Sequence, residues 1–542
     1  MHPRFLRTAV FIGAFLLAPP LRAGAQRSDS AVPSDPDAQT ILHVLNRMGY
    51  GPKPGDISRV RAMGLSAYIN QQLHPETIAD PAVAAALAEF PTLAMSEEEL
   101  ATKYYRPLEE MRKDQQSKQA KAAAKVAKAD GKAAAGEVQA SMPPEMKELR
   151  QGAASVLQNL MQARVIRAVD SERQLNEVLV DFWFNHFNVY AQKGAVEEYM
   201  NVYERDAIRP YVLGRFRDML GAVAHNPAML FYLDNYQSAD PRLGQARQLQ
   251  MRKNVPQGLN ENYARELMEL HTLGVDGGYS QKDVQAVARV FTGWTIDQPR
   301  GGGRFVFRPQ MHDALPKTIL GQTFPGYTGV DGMREGEKVL DMLAMHPATA
   351  RRIAYTLAQR FVADAPPQTV VDRAAQVYLA TKGDLREVTR AILTSPEFFS
   401  VDAYNAMVTT PLDFVISSAR VTGARLASAA PIVQALRNDL GMPLYGCQPP
   451  TGYKTTADAW VNTGALLSRM NFGLRLVSNQ HRQIRVDVAT LAADTSVTTR
   501  DTLVAQILAG RSSASTLATL TKATTPQQLL ALLLGSPEFQ KR

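Results

Sequence analysis

Only one cysteine, Cys447, occurs in the 542 residues. No internal disulfide can form, so stability has to come from a large apolar core rather than from covalent staples. The stretch YGCQPPTGY puts no histidine beside that thiol, which argues against a Cys–His nucleophile. The nine histidines show no zinc-ligand spacing with it. An H-E-x-x-H helix, a G-x-S-x-G elbow, a phosphate-binding P-loop and a dinucleotide fingerprint are all missing. Beyond residue 25 no run approaches the ~18 uninterrupted apolar residues of a membrane-spanning helix. Excess charge is also scarce: 60 Lys and Arg against 52 Asp and Glu leave +8, too little over this length to indicate nucleic acid. At 45% hydrophobic and 21% charged residues, the composition is that of a globular protein.

What is present begins with a targeting pattern. Arg4 and Arg7 precede the apolar TAVFIGAFLLA, and Ala23 and Ala25 stand in A-x-A spacing, as in a cleavable signal peptide over residues 1–25. The expectation is export to a periplasm or the cell exterior. Removing Arg4, Arg7 and Arg22 takes the formal charge from +8 to +5. Residues 26–39 read as a polar tether and 40–100 as an N-terminal helical segment, broken by GPKPG, with Asp56 a candidate cap for the next helix. Residues 101–145 form an Ala/Lys-rich insertion or linker. There Lys118, Lys121, Lys125, Lys128 and Lys132 share one helix face, either simply solvated or able to touch anionic lipid or polymer.

Residues 146–400 read as a central helical core and 401–542 as a C-terminal helical segment. Between Trp294 and Gly329 alternation replaces the helical period, predicting a small β-hairpin insertion near 305–325. AILTSPEFFS and LLLGSPEFQK each set a serine, Ser395 or Ser536, as N-cap before a proline. They are reused punctuation or the trace of a duplicated unit. The predicted class is mainly α, a multi-helical globular fold.

Four stretches carry candidate chemistry. In GLNENYARELMELHTLGVDGGYSQKDV, a helical wheel gathers Asn262, Arg265, Glu266 and Glu269 into one polar seam, with Tyr263, Leu267 and Leu270 on the apolar side. His271 falls nearly opposite the two glutamates, so one straight helix cannot offer all three to one ion. Gly274 ends this helix, Gly277 and Gly278 supply positive φ, and Ser280 with Asp283 makes a capping box. An EF-hand starting at Asp276 would need an acid where Val287 stands.

In LVDFWFNHFNVYA, Asp181, Asn185 and Asn188 form a narrow polar strip on an otherwise apolar helix. The expected partner of that strip is the seam, giving a buried network of Asp181, Asn185, Asn188, Asn262, Arg265, Glu266 and Glu269. His186 and His271 read as packed histidines or as ligands. In MHDALPKTILG, His312, Asp313 and Lys317 share a short loop that either orients a phosphate, carboxylate or metal, or simply locks itself by hydrogen bonds. GYKTTADAWVNTGALLSRMNFG offers Lys454, Trp460, Asn462, Arg469 and Asn471, read mainly as the start of a helix.

These stretches, with HVLNRMGYGPKPGDISRVRAMGL, VFTGWTI, HPATARRIAYTLAQRFVADAPP and LTSPEFF, stand in an order that resembles the DUF1800 family of bacterial proteins over roughly residues 40–540. The Ala/Lys insertion lies outside these motifs, and YGCQPPTGYKTTADAW follows the pattern only loosely. The resemblance implies an exported protein, often encoded beside exported DUF1501 proteins that resemble the alkaline-phosphatase and sulfatase superfamily. It transfers no catalytic residue and no cofactor.

Two readings follow. One is an exported partner-binding module, acting with a DUF1501-type protein in envelope or polysaccharide processes and marked by an exposed apolar or charged groove. The other is a hydrolase-like enzyme, with Glu266 or Glu269 as acid/base and His312, Asp313 and Lys317 binding substrate. Asn185, Asn188, Asn262 and Arg265 would then be further binding residues, and His186, His271 or His312 metal ligands. The enzyme reading requires the seam and the His-Asp loop to face one cleft.

Overall fold

The computed structural model describes residues 31–128, 143–243 and 258–542. The proposed signal peptide, residues 26–30 of the proposed tether and Lys132 lie outside the described residues. Local signals start the chain well. Asp37 accepts from the Thr40 N–H and begins the helix Ala38–Met48, which turns Ile41, Val44, Leu45 and Met48 inward. After GPKPG the next helix, Asp56–Met63, starts one residue earlier than expected. Gly55 at φ 91° is its N-cap, and Asp56 folds back to accept from the Lys53 N–H. Lys118 and Lys121 are exposed on the helix Arg106–Lys128.

The fold is mainly α, as predicted. Buried apolar residues from Ile41 to Leu534 form one continuous core, and a small satellite of Leu100, Tyr105, Val156 and Val202 packs beside it. At the centre lies Gln174–His186, whose Leu175, Val178, Leu179, Trp183 and Phe184 are all buried. Trp183 and Phe187 stack within 6.2 Å in an aromatic cluster with Phe216. The helix stops at His186, so Asn188 does not continue the strip of Asp181 and Asn185; it lies on the extended chain beyond.

The expected β insertion is two hairpins rather than one. Trp294–Ile296 pairs with Phe305–Phe307, and Lys317–Ile319 pairs with Gln322–Phe324. Leu320 and Gly321 both take positive φ between the second pair, the conformation a tight two-residue hairpin demands. A third two-residue pairing joins Arg425–Leu426 to Ile484–Arg485. Ser280 and Asp283 do close the predicted capping box. Gly274 and Gly278 take positive φ, but Gly277 does not. Ser395 and Ser536 each cap a single turn, accepting from the N–H of Phe398 and Phe539, and start no helix.

Among the described residues three helical runs contain π turns, Ala101–Tyr105, Tyr203–Ile208 and Leu267–Thr272. Each inserts an extra residue into the turn and re-aims the side chains that follow, a feature common at functional sites.

Candidate functional site

Asp181 on the Gln174–His186 helix pairs with Arg164, whereas Asn185 near its end and Asn188 just beyond it find their partners in the C-terminal half of the chain. Asn185 reads the backbone of Tyr453 in both directions, donating to its carbonyl at 2.8 Å and accepting from its N–H at 2.7 Å. Asn188 donates to the carbonyls of Cys447 and Pro449, at 3.0 and 2.8 Å. The Tyr232 hydroxyl donates to Gln448 O at 2.6 Å. Gly452, at φ +71°, has to be glycine, because a Cβ there would stand 2.4 Å from Asn185 O. Together these contacts fix the irregular segment 442–456 over the central helix.

Beneath that segment lies a cavity of about 360 Å³. One wall comes from the helix Pro347–Phe361, which presents Arg352, Thr356, Gln359 and Arg360, spaced as one helical face. The opposite wall is Asp181, Asn185 and His186, with Arg164 behind Asp181. The roof is Tyr453 to Thr456, and the inner end is Thr410, Asp413 and Arg542. Five cationic side chains, Arg164, Arg352, Arg360, Lys454 and Arg542, line it against two carboxylates, Asp181 and Asp413.

Each charge has a distinct setting. Arg164 is ion-paired with Asp181 and, at 3.3 Å, with Glu204, and its guanidinium lies over the rings of Phe184 and Tyr445. Glu204, in the Tyr203–Ile208 π turn, also accepts from the Tyr445 hydroxyl and pairs with Arg209 at 2.9 Å. Burial pushes this carboxyl upward, but Arg209 and Arg164 outweigh it and hold it at about 2. His186 is neutral: burial, then the Arg352 charge, drive it down to about 3, and its Nε2 faces His271 O at 3.1 Å. The Cys447 thiol is pushed up to about 11 by burial, so no thiolate is poised in the segment above the cavity.

The residues predicted from sequence divide between three places. Asp181, Asn185, Asn188 and His186 line the cavity. Asn262, Arg265, Glu266 and Glu269 do not, and they do not meet Asp181. The expected buried network is therefore not formed, because Asp181 is taken by Arg164 and the asparagines by the 442–456 segment. The seam is half-buried to exposed. Arg265 pairs with Glu261 at 3.6 Å and donates to Gln281, while Glu269 accepts from the Tyr279 hydroxyl at 3.4 Å. Burial, reinforced by the Glu269 charge and opposed by Arg265, raises Glu266 above the ordinary carboxylate range.

His312, Asp313 and Lys317 are in a third place and sealed. Lys317 Nζ sits 2.8 Å from Glu335 and also caps the carbonyls of Asp313 and Leu315. His312 lies between Thr292 O, at 3.0 Å, and Glu335, at 3.2 Å. Asp313 holds Arg289 at 2.6 Å. The His312 and Lys317 side chains are at most 1% exposed, so this is a loop lock without access for substrate. It does not face the cavity. Among the described residues no three His, Cys, Asp or Glu side chains are grouped to hold a metal, and His186 and His271 stand 6.4 Å apart, ring to ring.

Sequence reasoning missed Arg352, Thr356, Gln359, Arg360 and Asp413. The signal was available in TARRIAYTLAQRF, where Arg352, Thr356, Gln359 and Arg360 recur four, three and one apart on one helical face. Lys454 was noticed, but Asn462 caps the helix Thr463–Val477 and Arg469 is buried against Thr409 and Gln540. Trp460 donates to Lys454 O.

A family model described as a protein of unknown function, DUF1800, matches residues 43–541. No curated protein and no solved structure matches the chain.

Proposed function

Because this chain belongs to the DUF1800 family, whose function is unassigned, we propose a reading from its own geometry: an exported partner-binding module. It acts with an exported DUF1501-type protein in envelope or polysaccharide processes, and the cavity beneath segment 442–456 is where a polar group of the partner or its polymer is received. One observation carries this reading. Cations, hydroxyls and amides converge on this cleft, whereas the candidate acid/base groups and the His-Asp-Lys loop lie elsewhere. Such a cleft suits recognition of a polar ligand by a few placed groups.

A second surface supports it. Leu467, Met470 and Leu474 on one face of Thr463–Val477, with Leu466 beside them, are 40–57% exposed. Contiguous exposed apolar side chains of this kind mark interaction surfaces.

The test is a binding titration of the mature protein against a purified DUF1501-type protein. Wild type should bind, and Gln359→Trp, which fills the cleft, should weaken binding tenfold or more while leaving the fold intact by circular dichroism. Absence of wild-type binding would sink the partner reading. The hydrolase reading keeps one favourable observation, the raised Glu266 carboxyl beside Glu269. Turnover of a polysaccharide or phosphoester substrate that Glu266→Gln abolishes would restore it.

A further inference from the structure

The inner end of the cleft holds more buried positive charge than it can neutralise. Arg360 is 5% exposed and Arg542 4%. Both turn to the same carboxylate, Asp413: Arg542 Nη1 approaches Asp413 Oδ1 to 2.6 Å, and Arg360 Nη2 to 3.6 Å. The other carboxylate oxygen is committed to the Thr410 N–H and hydroxyl. Arg47, fully buried behind them, reaches only neutral acceptors, Ala403 O and Met407 Sδ. Three guanidinium groups therefore crowd around Asp413, with the Asp364 charge offsetting only Arg47 in part. Asp181 is given to Arg164, and Asp364 accepts from the Ala457 N–H.

Hydrogen-bonding capacity is left over as well. Arg360 Nη1 and Arg542 Nε are buried with no acceptor, and the short Arg542 Nη1–Asp413 approach lacks hydrogen-bond alignment. Arginine cannot shed its proton to escape this, and an uncompensated buried charge is among the most costly features a fold can carry. Arg360 and Arg542 border the cavity, so a ligand entering it can supply the missing charge. Arg352 and Lys454 add cationic character along the way, and Thr356, Gln359 and Thr451 offer neutral donors and acceptors.

We propose that this inner end is an oxyanion site, in which Arg360 and Arg542 clamp the carboxylate or phosphate of a polyhydroxylated ligand whose hydroxyls meet the threonine and glutamine side chains. The planar guanidinium fork matches both oxyanions with paired hydrogen bonds, and the volume suits a ligand of about sugar size. The proposal rests on the cleft being the recognition site and adds the chemistry it selects.

The test is thermal unfolding and calorimetric titration of the wild-type protein with glucuronate, glucose 1-phosphate, inorganic phosphate and neutral glucose, each against sodium chloride of equal ionic strength. At ~100-fold excess over Kd, a bound anion should raise the Tm by about 3 °C or more, and glucose alone should not. Response to glucuronate only assigns the carboxylate; response to the phosphates only assigns the phosphate. Arg360→Gln should weaken anion binding tenfold or more, and in chloride alone its Tm should equal or exceed that of the wild type, since it removes an unbalanced charge. Arg352→Gln, nearer the mouth, should weaken binding less and serves if Arg360→Gln does not fold. Equal shifts from chloride, or equal binding by both variants and the wild type, would overturn the oxyanion site. If Gln359→Trp still abolished partner binding, the recognition cleft would stand without it.

Discussion

The loop lock around Glu335 and the inner end of the cleft are made of the same materials, buried cations with buried carboxylates, but their charge balances differ. In the lock, Lys317 meets Glu335 at 2.8 Å and Arg289 meets Asp313 at 2.6 Å, and the spare Lys317 donors go to backbone carbonyls. Burial lowers Lys317, and the Glu335 partner works against it. In the cleft, Arg360 and Arg542 divide one Asp413. Paired charges of the first kind specify how a loop is held. Unpaired ones of the second kind are tolerable when something from outside completes them. The cations of the lock each have their own carboxylate within the chain, and those of the cleft do not.

The contrast can be broken at several points. Lys317→Met should have the largest effect, a loss of about 3–5 kcal/mol, because it leaves the buried Glu335 with His312 alone beside it. Urea denaturation measures this, and Lys317→Met with Glu335→Leu should recover much of the loss. If Arg360→Gln proved as costly in anion-free buffer, the two regions would be alike and the distinction would fail.

The next effect is read from pH. Glu204 is held at about 2 when folded against 4.5 as its ordinary value. A depressed carboxyl stabilises fully above the unfolded value and loses that contribution as pH falls through the folded one. Stability should therefore drop by on the order of 3 kcal/mol between about pH 4.5 and pH 2. Denaturation midpoints across that range should show the slope in the wild type and a shallower one in Glu204→Gln. An unchanged slope would mean that the Arg164–Glu204–Arg209 bridge beside the cleft contributes little.

The smallest effect sharpens the picture of the roof. Asn185→Ala removes both bonds to Tyr453 and should cost about 1–2 kcal/mol. Hydrogen exchange should then accelerate at residues 447–456 while the Lys317 lock stays protected. Acceleration in both regions would show that they open as one unit.

Much of this architecture could be read in advance wherever the cause is local. The capping box of Ser280 and Asp283 needs only four residues. The buried helix announces itself in residues 179–191 by its narrow polar strip, although it runs over Gln174–His186 instead. Ser395 and Ser536 show the limit of the same logic: the serine did cap, but the turn it capped was never extended into a helix. The single expected hairpin became two because FVF pairs back to WTI across the glycine-rich turn, while KTI pairs forward to QTF.

The candidate site was half visible for a related reason. A periodic pattern tells which side chains share a face, and so Asp181 and Asn185 were correctly seen as a strip that needs partners. It does not tell which face is met. The nearest polar seam in sequence, at 262–269, was the expected answer, yet Arg164 and the backbone of Tyr453 are the partners found. Asp413 joins Arg360 and Arg542 from three separate parts of the chain, and no spacing within a helix encodes that meeting.

The sequence by itself determined the helical class, the capping box of Ser280 and Asp283 and the identity of polar residues that had to be satisfied, because capping, turn chemistry and amphipathic period act over a few neighbouring residues. Only the tertiary structure decided which charges would be balanced and which left to face a cavity. Charge balance in a dry interior depends on groups brought within a few ångströms from distant positions, and that proximity is a product of packing the whole core.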